Sequence, residues 1–121
     1  MLFRSIGGVA AGRLLKVPAG YDVRPTPDLV RQAVFNSLAS FRGGTGPSGL
    51  ALEGARVLDL FSGSGAIGLE CLSRGAAFVV SVEKANRHAR MIEENLARLE
   101  NLQFSPRHSL RIQDVSVAIS Q

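Results

Sequence analysis

One stretch of the chain constrains its fold more than any other, the segment V-L-D-L-F-S-G-S-G-A-I-G at residues 57–68. A short apolar run ends at Asp59, and a glycine-rich turn opens four residues later at Gly63. An apolar-periodic segment follows, which is typical of a helix that packs on one face. The order strand, tight loop, helix predicts the opening unit of a doubly wound α/β fold. Glycines suit such a loop because no Cβ obstructs a sharp turn or the close approach of a ligand.

The same turn contains a nucleotide-binding pattern, and the acidic residues beside it indicate which cofactor it suits. Gly63, Gly65 and Gly68 spell G-x-G-x-x-G, the fingerprint of dinucleotide sites. Asp59 would repel the pyrophosphate of NAD, whereas S-adenosylmethionine presents an ammonium and a sulfonium to an acidic wall. Glu83 ends the next apolar run, near the roughly 20-residue spacing of a ribose-binding acid, and its carboxylate can accept hydrogen bonds from ribose hydroxyls. These residues predict an S-adenosylmethionine site; the alternatives are an NAD site or a plain strand–loop–helix turn with a surface acid.

The excess positive charge of the chain lies at its N-terminal end. The 121 residues carry a formal net charge of +4, and residues 1–42 hold six arginine or lysine residues against two aspartates. The remainder is therefore neutral. This asymmetry favours a polyanionic substrate held from one side, with plain solvating charge as the alternative.

Length and residue usage favour one soluble domain of a cytoplasmic protein. A chain of 121 residues is a single domain by prior expectation. No apolar run approaches the ~20 residues that span a bilayer, and no secretion signal is visible, so neither a membrane partner nor export is expected. The single Cys71 cannot form an internal disulfide, which suits the cytosol, and it is expected to be a small buried apolar residue.

The N-terminal part is predicted to be a hairpin followed by a helix. Residues 2–6 and 13–17 are predicted to form the strands of a glycine-rich β-hairpin. A helix is expected over residues 27–40, with Thr26 as its N-cap and an apolar stripe facing the core. That stripe consists of Leu29, Val30, Ala33, Val34 and Leu38. The predicted division is a basic N-terminal part at 1–42, a glycine-rich connector at 43–54 and a cofactor-binding domain at 55–121.

The cofactor-binding part is predicted to alternate strands and helices. Its first two strands are apolar throughout and are expected to be buried on both faces, as in a parallel sheet. A third strand is predicted to begin at Leu110. The other predicted elements are strands at 56–60 and 78–82 and helices at 66–74 and 85–100.

Three polar residues of this part receive separate predictions. Asp114, just beyond the third strand, either contacts an adenine amino group or is a loop or helix-cap residue. His88 falls among charged residues and is expected to be a solvated helix residue. His108 has no partner motif and is given no role.

Several motifs together resemble the bacterial 16S ribosomal RNA guanine-N2 methyltransferase family of the RsmD type. They cover nearly the whole chain to about residue 99, and their combination is more specific than the glycine turn alone. The segments that carry the resemblance are Ile6-Gly7-Gly8, Gly12-Arg13-Leu14-Leu15, Arg24-Pro25-Thr26, residues 30–36 and 57–75, Glu83-Lys84 and Asn95-Leu96.

The resemblance implies a fold, a reaction and a set of site residues. The fold is the class I S-adenosylmethionine-dependent methyltransferase fold, an α/β Rossmann-like architecture with a mainly parallel sheet, preceded by an RNA-contacting hairpin and a helix. The reaction is methyl transfer from S-adenosylmethionine to the exocyclic amine of a guanine in small-subunit ribosomal RNA or an assembly particle, with no metal. The implied cofactor-binding residues, with Asp114 added from its position, are Asp59, Phe61, Gly63, Ser64, Gly65, Glu83 and Asp114. The residues expected to contact RNA are Arg4, Arg13, Lys16, Arg24 and Arg31.

The chain departs from the family pattern in two places. Val9-Ala10-Ala11 replaces a hairpin segment that is usually basic and aromatic, which weakens the expected grip on RNA. The acceptor motif Asp/Asn-Pro-Pro-aromatic is absent, so no catalytic residue is assigned. The chain is therefore interpreted as truncated at its C-terminus, with its first parallel strand left as an exposed apolar edge. The alternative is a non-catalytic cofactor- or RNA-binding fragment, or a piece completed by another polypeptide.

Overall fold

A computed structural model describes residues 2–4, 7–16, 28–43, 50–60, 62–63 and 65–120 of the chain. Five strands and four α-helices lie within these ranges, together with three short 3-10 helices at Gly8–Ala10, Glu100–Leu102 and Ser105–Arg107. The larger elements follow one another as β1 (Leu2–Arg4), β2 (Leu14–Lys16), α1 (Asp28–Phe41), β3 (Arg56–Asp59), α2 (Ala66–Ser73), β4 (Phe78–Val82), α3 (Asn86–Arg98), β5 (His108–Arg111) and α4 (Val115–Ile119).

The N-terminal hairpin and helix are confirmed, with shorter strands than the sequence predicts. β1 and β2 pair antiparallel, with Leu2 opposite Lys16 and Arg4 opposite Leu14. α1 begins at Asp28 and ends at Phe41, one residue later at each end than predicted. The predicted N-cap Thr26 and half of the predicted connector, residues 44–49, lie outside the described residues.

The second half of the chain forms a parallel sheet of three strands in the order β3-β4-β5. Val57 lies opposite Val79, and Val80 lies opposite Ser109. β4 has the predicted bounds, whereas β5 begins two residues before the predicted Leu110. The chain then enters α4, which the sequence pattern does not predict because only five residues are helical.

Two helices contribute buried residues to the core, α2 against the sheet and α3 against β2. α2 contacts both β3 and β4. On α3 the apolar residues that recur at helical spacing form a buried stripe, which consists of Ala89, Ile92, Leu96 and the adjoining Leu99. No helix in the described ranges is long and apolar enough to span a bilayer.

The prediction that the first two parallel strands are buried on both faces is wrong in part. β3 is an end strand of the sheet, and the side chain of Leu58 is 57% exposed. Phe78 at the start of β4 is also exposed, whereas Val79 and Val82 are buried. Among the described residues no further strand pairs with the outer edge of β3, so the expectation of an open apolar edge is confirmed for these residues.

The predicted core-facing stripe of α1 is also wrong. Leu29 is 80% exposed, and the other large members of the stripe, Val30, Val34 and Leu38, are exposed as well. Arg31 and Phe35 are the buried residues of this helix. Phe35 contacts Arg74, the residue directly after α2, whose guanidinium lies 4.7 Å from the centroid of the Phe35 ring.

Two polar side chains of α2, those of Glu70 and Ser73, hold the N-terminal segment against the sheet domain. Glu70 accepts hydrogen bonds from the backbone N–H of Gly7 and from Nε of Arg74, both at 2.9 Å. The hydroxyl of Ser73 accepts from the N–H of Ala10 at 2.9 Å and donates to the carbonyl of Gly7 at 2.5 Å. Because Glu70 is 1% exposed, these bonds replace the hydration that its carboxylate loses on folding.

Cys71 is buried in α2, as expected of a small apolar residue. Burial and, to a smaller extent, the carboxylates of Asp59 and Glu70 raise the pKa of its thiol to about 12, against an opposing effect of the Arg74 guanidinium. With that pKa, only about one thiol in ten thousand is a thiolate at pH 8, against about a quarter for an exposed cysteine of pKa ~8.5.

Cys71 is therefore expected to be inert to thiol reagents in the folded protein and reactive in the unfolded one. Its modification by a disulfide reagent at pH 8 should be at least about 100-fold slower in buffer than in denaturant. A native rate equal to the denatured rate would contradict the burial of the thiol.

The stability of the fold is expected to depend on pH through the same thiol. Because its pKa is higher in the folded than in the unfolded chain, the stabilisation that Cys71 contributes is lost as pH rises from about 9 to 12. A Cys71→Ala variant should lack that component of the pH dependence.

Candidate functional site

A glycine turn joins the end of β3 to the start of α2 and is bonded to the end of β4. The backbone N–H of Ser62 donates to the carbonyl of Val82 at 3.1 Å, and the Ser62 hydroxyl donates to the carbonyl of Asp59 at 3.0 Å. The N–H of Gly65 donates to the carbonyl of Ser62 at 2.8 Å. The turn is thereby fixed at the carboxyl end of the parallel strands, the edge where α/β sheets bind ligands.

Glu83 connects the glycine turn to the first turn of α3. Its Oε1 accepts the backbone N–H of Gly63 at 2.9 Å, and its Oε2 accepts the N–H of Ala85 at 2.9 Å. Ala85 is the residue immediately before α3, where backbone donors have no partner within the helix. The carboxylate is therefore oriented by two backbone groups that belong to different elements.

Two glycines of the motif serve close packing. Gly65 has a φ of +83°, and a Cβ there would lie 2.9 Å from Cγ1 of Ile92 on α3. A Cβ on Gly68 would lie 3.2 Å from Oγ of Ser81 and from Cγ1 of Val79. Gly65 thus lets α3 approach the glycine turn, and Gly68 lets α2 approach β4, the role of the later glycines in nucleotide-binding turns.

A cavity of about 310 Å³ opens beside Glu83 at the carboxyl ends of the strands. This volume lies at the lower end of the range for small-ligand sites. The amide oxygen Oε1 of Gln113, on the cavity wall, is buried and has no hydrogen-bond partner among the described residues. The lining residues are Leu60, Val82, Glu83, Lys84, Gln113, Asp114 and Val115.

Asp114 lines this cavity and also caps α4. Its Oδ1 accepts the backbone N–H of Ser116 at 2.9 Å and the Ser116 hydroxyl at 2.7 Å. These hydrogen bonds lower the pKa of the Asp114 carboxyl below its ordinary value. The helix-cap alternative predicted for Asp114 is therefore realised, and the adenine contact stays a prediction.

The residues around the cavity fit an adenosyl group. Glu83 offers acceptor sites for ribose hydroxyls beyond those that its two backbone bonds use. Gln113 offers a buried acceptor without a partner among the described residues, which an amino group could satisfy. Leu60, Val82 and Val115 provide apolar walls suited to a planar base.

The structure brings together most of the described residues that the sequence predicts for the cofactor site. Gly63, Gly65 and Glu83 lie at one turn, and Asp59 ends the strand that leads into it. The Asp59 carboxylate lies towards α2, since a Cβ on Gly68 would be 3.8 Å from its Oδ2. The two remaining predicted cofactor residues, Phe61 and Ser64, lie outside the described residues.

Two of the predicted RNA-contacting residues are engaged within the fold. A guanidinium nitrogen of Arg13 donates to the carbonyl of Arg98 at 2.8 Å and to Oδ1 of Asn101 at 3.3 Å, at the C-terminal end of α3. Arg31 is 1% exposed, so a direct contact with RNA would require α1 to move from its neighbours. RNA contact by the five predicted residues stays a prediction. Arg4 and Lys16 lie on β1 and β2, and Arg24 lies outside the described residues.

Both histidines differ from their sequence-based interpretation. His88 is buried rather than solvated, with its Nδ1 3.5 Å from Oε2 of Glu83. His108 on β5 has its Nε2 2.7 Å from the hydroxyl of Ser81, and burial lowers the pKa of its imidazole. His88 could have been identified from its spacing, since it falls four residues before Ile92 of the buried stripe and therefore on the same face of α3.

Solved structures with the same fold identify the class of protein to which the chain belongs. The structure of yhhF of Escherichia coli, named as a methyltransferase, matches 100% of this chain and 57% of its own at 32% identity, with a TM-score of 0.79. A Thermus protein of unassigned function matches 98% of this chain and 59% of its own, at 32% identity and a TM-score of 0.74. The fold is that of the class I methyltransferases.

Sequence comparisons identify the family to which the chain belongs. The chain belongs to the family described as Conserved hypothetical protein 95, whose model matches residues 3–121. Ribosomal RNA small subunit methyltransferase D of Escherichia coli K12 is 41% identical over 97 residues, which are 80% of this chain and 44% of that protein. The protein of the same name from Haemophilus influenzae is 34% identical over 97 residues, 80% of this chain and 45% of its own. The chain thus spans about half the length of the curated relatives that it matches.

Proposed function

We propose that this chain binds S-adenosylmethionine and forms the cofactor-binding part of an enzyme that methylates the N2 amine of a guanine in 16S ribosomal RNA. The observation that supports cofactor binding most directly is the carboxylate of Glu83, fixed by Gly63 and Ala85 beside a cavity. The names of the relatives support the ribosomal RNA substrate. Such an enzyme would act in the cytoplasm, where small subunits are assembled.

The chemistry of the reaction divides between the bound cofactor and the residues of the chain. When bound, S-adenosylmethionine supplies a methyl group on a sulfonium. Glu83 would hold the ribose, and Gln113 or Asp114 would accept a hydrogen bond from the adenine amine. Asp59 ends β3 beside the turn, and its negative charge favours a ligand that carries an ammonium and a sulfonium. These residues position the cofactor, and positioning accounts for much of the rate in such transfers.

The RNA would approach from the basic N-terminal part, which carries the whole net charge of the chain. The bonds from Glu70 and Ser73 to the segment Gly7–Ala10 fix this segment against α2, the helix that starts at the glycine turn. A rigid attachment of this kind would set the distance between the bound RNA and the cofactor. The predicted contacts are those of Arg4, Arg13, Lys16, Arg24 and Arg31.

A second candidate is a cofactor-binding module without catalytic activity of its own. The observation that favours it is that the described site consists of cofactor-side contacts, those of Glu83 with Gly63 and Ala85, whereas an extruded guanine also needs a stacking ring and acceptors. Both candidates share the cofactor site and differ only in the transfer step.

Titration calorimetry tests the shared part first. The chain is expected to bind S-adenosylmethionine and S-adenosylhomocysteine and to show no heat with NAD. A monodisperse folded chain that binds neither adenosyl ligand would contradict the proposal. Transfer of a labelled methyl group to 16S ribosomal RNA or to small-subunit particles then separates the two candidates, since only the first predicts labelled RNA.

A further inference from the structure

Glu83 has a third neighbour besides the two backbone groups that hold it. Nδ1 of His88 lies 3.5 Å from its Oε2, the oxygen that also accepts the N–H of Ala85. His88 lies in the first turn of α3 and is 7% exposed, which is uncommon for a histidine on a helix rich in charged residues. The pairing therefore lies at the predicted ribose-binding acid and is shielded from water.

The other ring nitrogen of His88 determines the direction of this contact. Its Nε2 lies 3.5 Å from a terminal nitrogen of Arg87. A guanidinium has only donors, so Nε2 must be the acceptor. A neutral imidazole then carries its proton on Nδ1, the ring nitrogen nearest to Oε2 of Glu83. The charged or titratable groups that the structure places against His88 are Glu83 and Arg87.

The acceptor sites of Glu83 are thereby divided unequally between its two oxygens. Oε2 accepts the N–H of Ala85 and also has the Nδ1 of His88 at 3.5 Å, whereas Oε1 accepts one donor, the N–H of Gly63. A carboxylate oxygen has about two acceptor sites. The oxygen with more room for a ligand hydroxyl is therefore Oε1, on the side of the glycine turn.

We propose that His88 is a positioning residue that holds the Glu83 carboxylate in the orientation in which Oε1 accepts a ribose hydroxyl of the adenosyl ligand. The inference rests on the proposed function, because it assigns Glu83 to the ribose. In this arrangement His88 does not touch the ligand. Replacing His88 should therefore weaken binding only of ligands that carry the ribose hydroxyls. It should do so only when the new side chain places no N–H donor beside Oε2 of Glu83.

Two amide substitutions of equal polarity test this dependence. His88→Asn places an N–H near the position of Nδ1, whereas His88→Gln places it near the position of Nε2, away from Glu83. The probes are S-adenosylhomocysteine and its 2′,3′-dideoxy analogue, titrated by calorimetry into each full-length variant. His88→Asn is expected to bind S-adenosylhomocysteine within about threefold of the parent, and His88→Gln about tenfold more weakly, one tenfold step being about 1.4 kcal/mol. The dideoxy analogue should bind both variants and the parent equally.

Asn95→Leu is the matched control for damage to α3. Asn95 is a fully buried polar residue of the same helix, seven residues beyond His88 and about 10 Å further along the helix axis. Its replacement should lower the thermal midpoint without changing the ratio of the two ligand affinities. A chain that folds but binds no adenosyl ligand would overturn the proposed function together with this inference. Binding that His88→Gln weakens equally for both ligands, or that His88→Asn weakens as much as His88→Gln, would overturn the inference alone.

Discussion

Replacing Glu83 by glutamine is expected to weaken the binding of S-adenosylhomocysteine by about 100-fold, equivalent to about 2.7 kcal/mol. The carboxylate accepts the N–H groups of Gly63 and Ala85 with different oxygens. An amide has one acceptor oxygen, so one of these N–H groups would face an NH₂ donor and the glycine turn would separate from α3. The charge-assisted bond to the ribose would be lost as well, and such bonds contribute about 1.5–3 kcal/mol.

The measurement is calorimetric titration of the parent and the variant at the same pH and salt concentration. Glu93→Gln is the control, since Glu93 is an exposed residue of α3 and its replacement makes the same change of charge. Glu93→Gln should leave the affinity unchanged. An affinity of Glu83→Gln within about threefold of the parent would show that this carboxylate does not hold the ligand.

Replacing Gly8 by alanine is expected to lower the free energy of unfolding by about 3 kcal/mol, because backbone strain and overpacking each contribute about 1–2 kcal/mol. Gly8 has a φ of +73°, and an added Cβ would lie 1.8 Å from the carbonyl oxygen of Ser73. Neither backbone can yield without separating the N-terminal segment from α2. That movement would also break the bonds from Gly7 and Ala10 to Glu70 and Ser73.

Gly12→Ala is the matched control because it introduces strain without a clash. Gly12 has a φ of +82°, and no atom lies within 4 Å of a Cβ placed there. Its replacement should lower the free energy of unfolding by only about 1 kcal/mol. Urea unfolding followed by circular dichroism gives both values. Equal losses in the two variants would mean that the contact between Gly8 and Ser73 does not contribute to stability.

Local sequence patterns were sufficient wherever a segment's own residues determine its structure. The bounds of β4 and the buried stripe of α3 follow from apolar spacing alone. The glycine turn follows from backbone sterics, since Gly63 and Gly65 both have positive φ. Sequence patterns did not predict α4, because only five residues are helical. They also placed the start of β5 two residues too late, because pairing with β4 extends that strand back to His108.

The side of an element that becomes buried depends on what packs against it. The stripe of α1 has helical spacing, but in the described chain the helix contacts Arg74 through Phe35 and leaves Leu29 exposed. β3 is apolar, yet Leu58 is exposed because β3 lies at the edge of the sheet. Periodicity identifies an apolar face without identifying its neighbour.

By itself the sequence determined the α/β order, the glycine turn and the two acids Asp59 and Glu83, because each depends on residue type and short-range spacing. Only the tertiary structure decided that Glu83 is bonded to Gly63 and Ala85 and lies beside His88, and that Asp114 caps a helix. It also decided that Glu70 holds the N-terminal segment from 63 residues away. Such contacts form when distant segments pack together, and a hydrogen bond between distant residues leaves no periodic signal in the sequence.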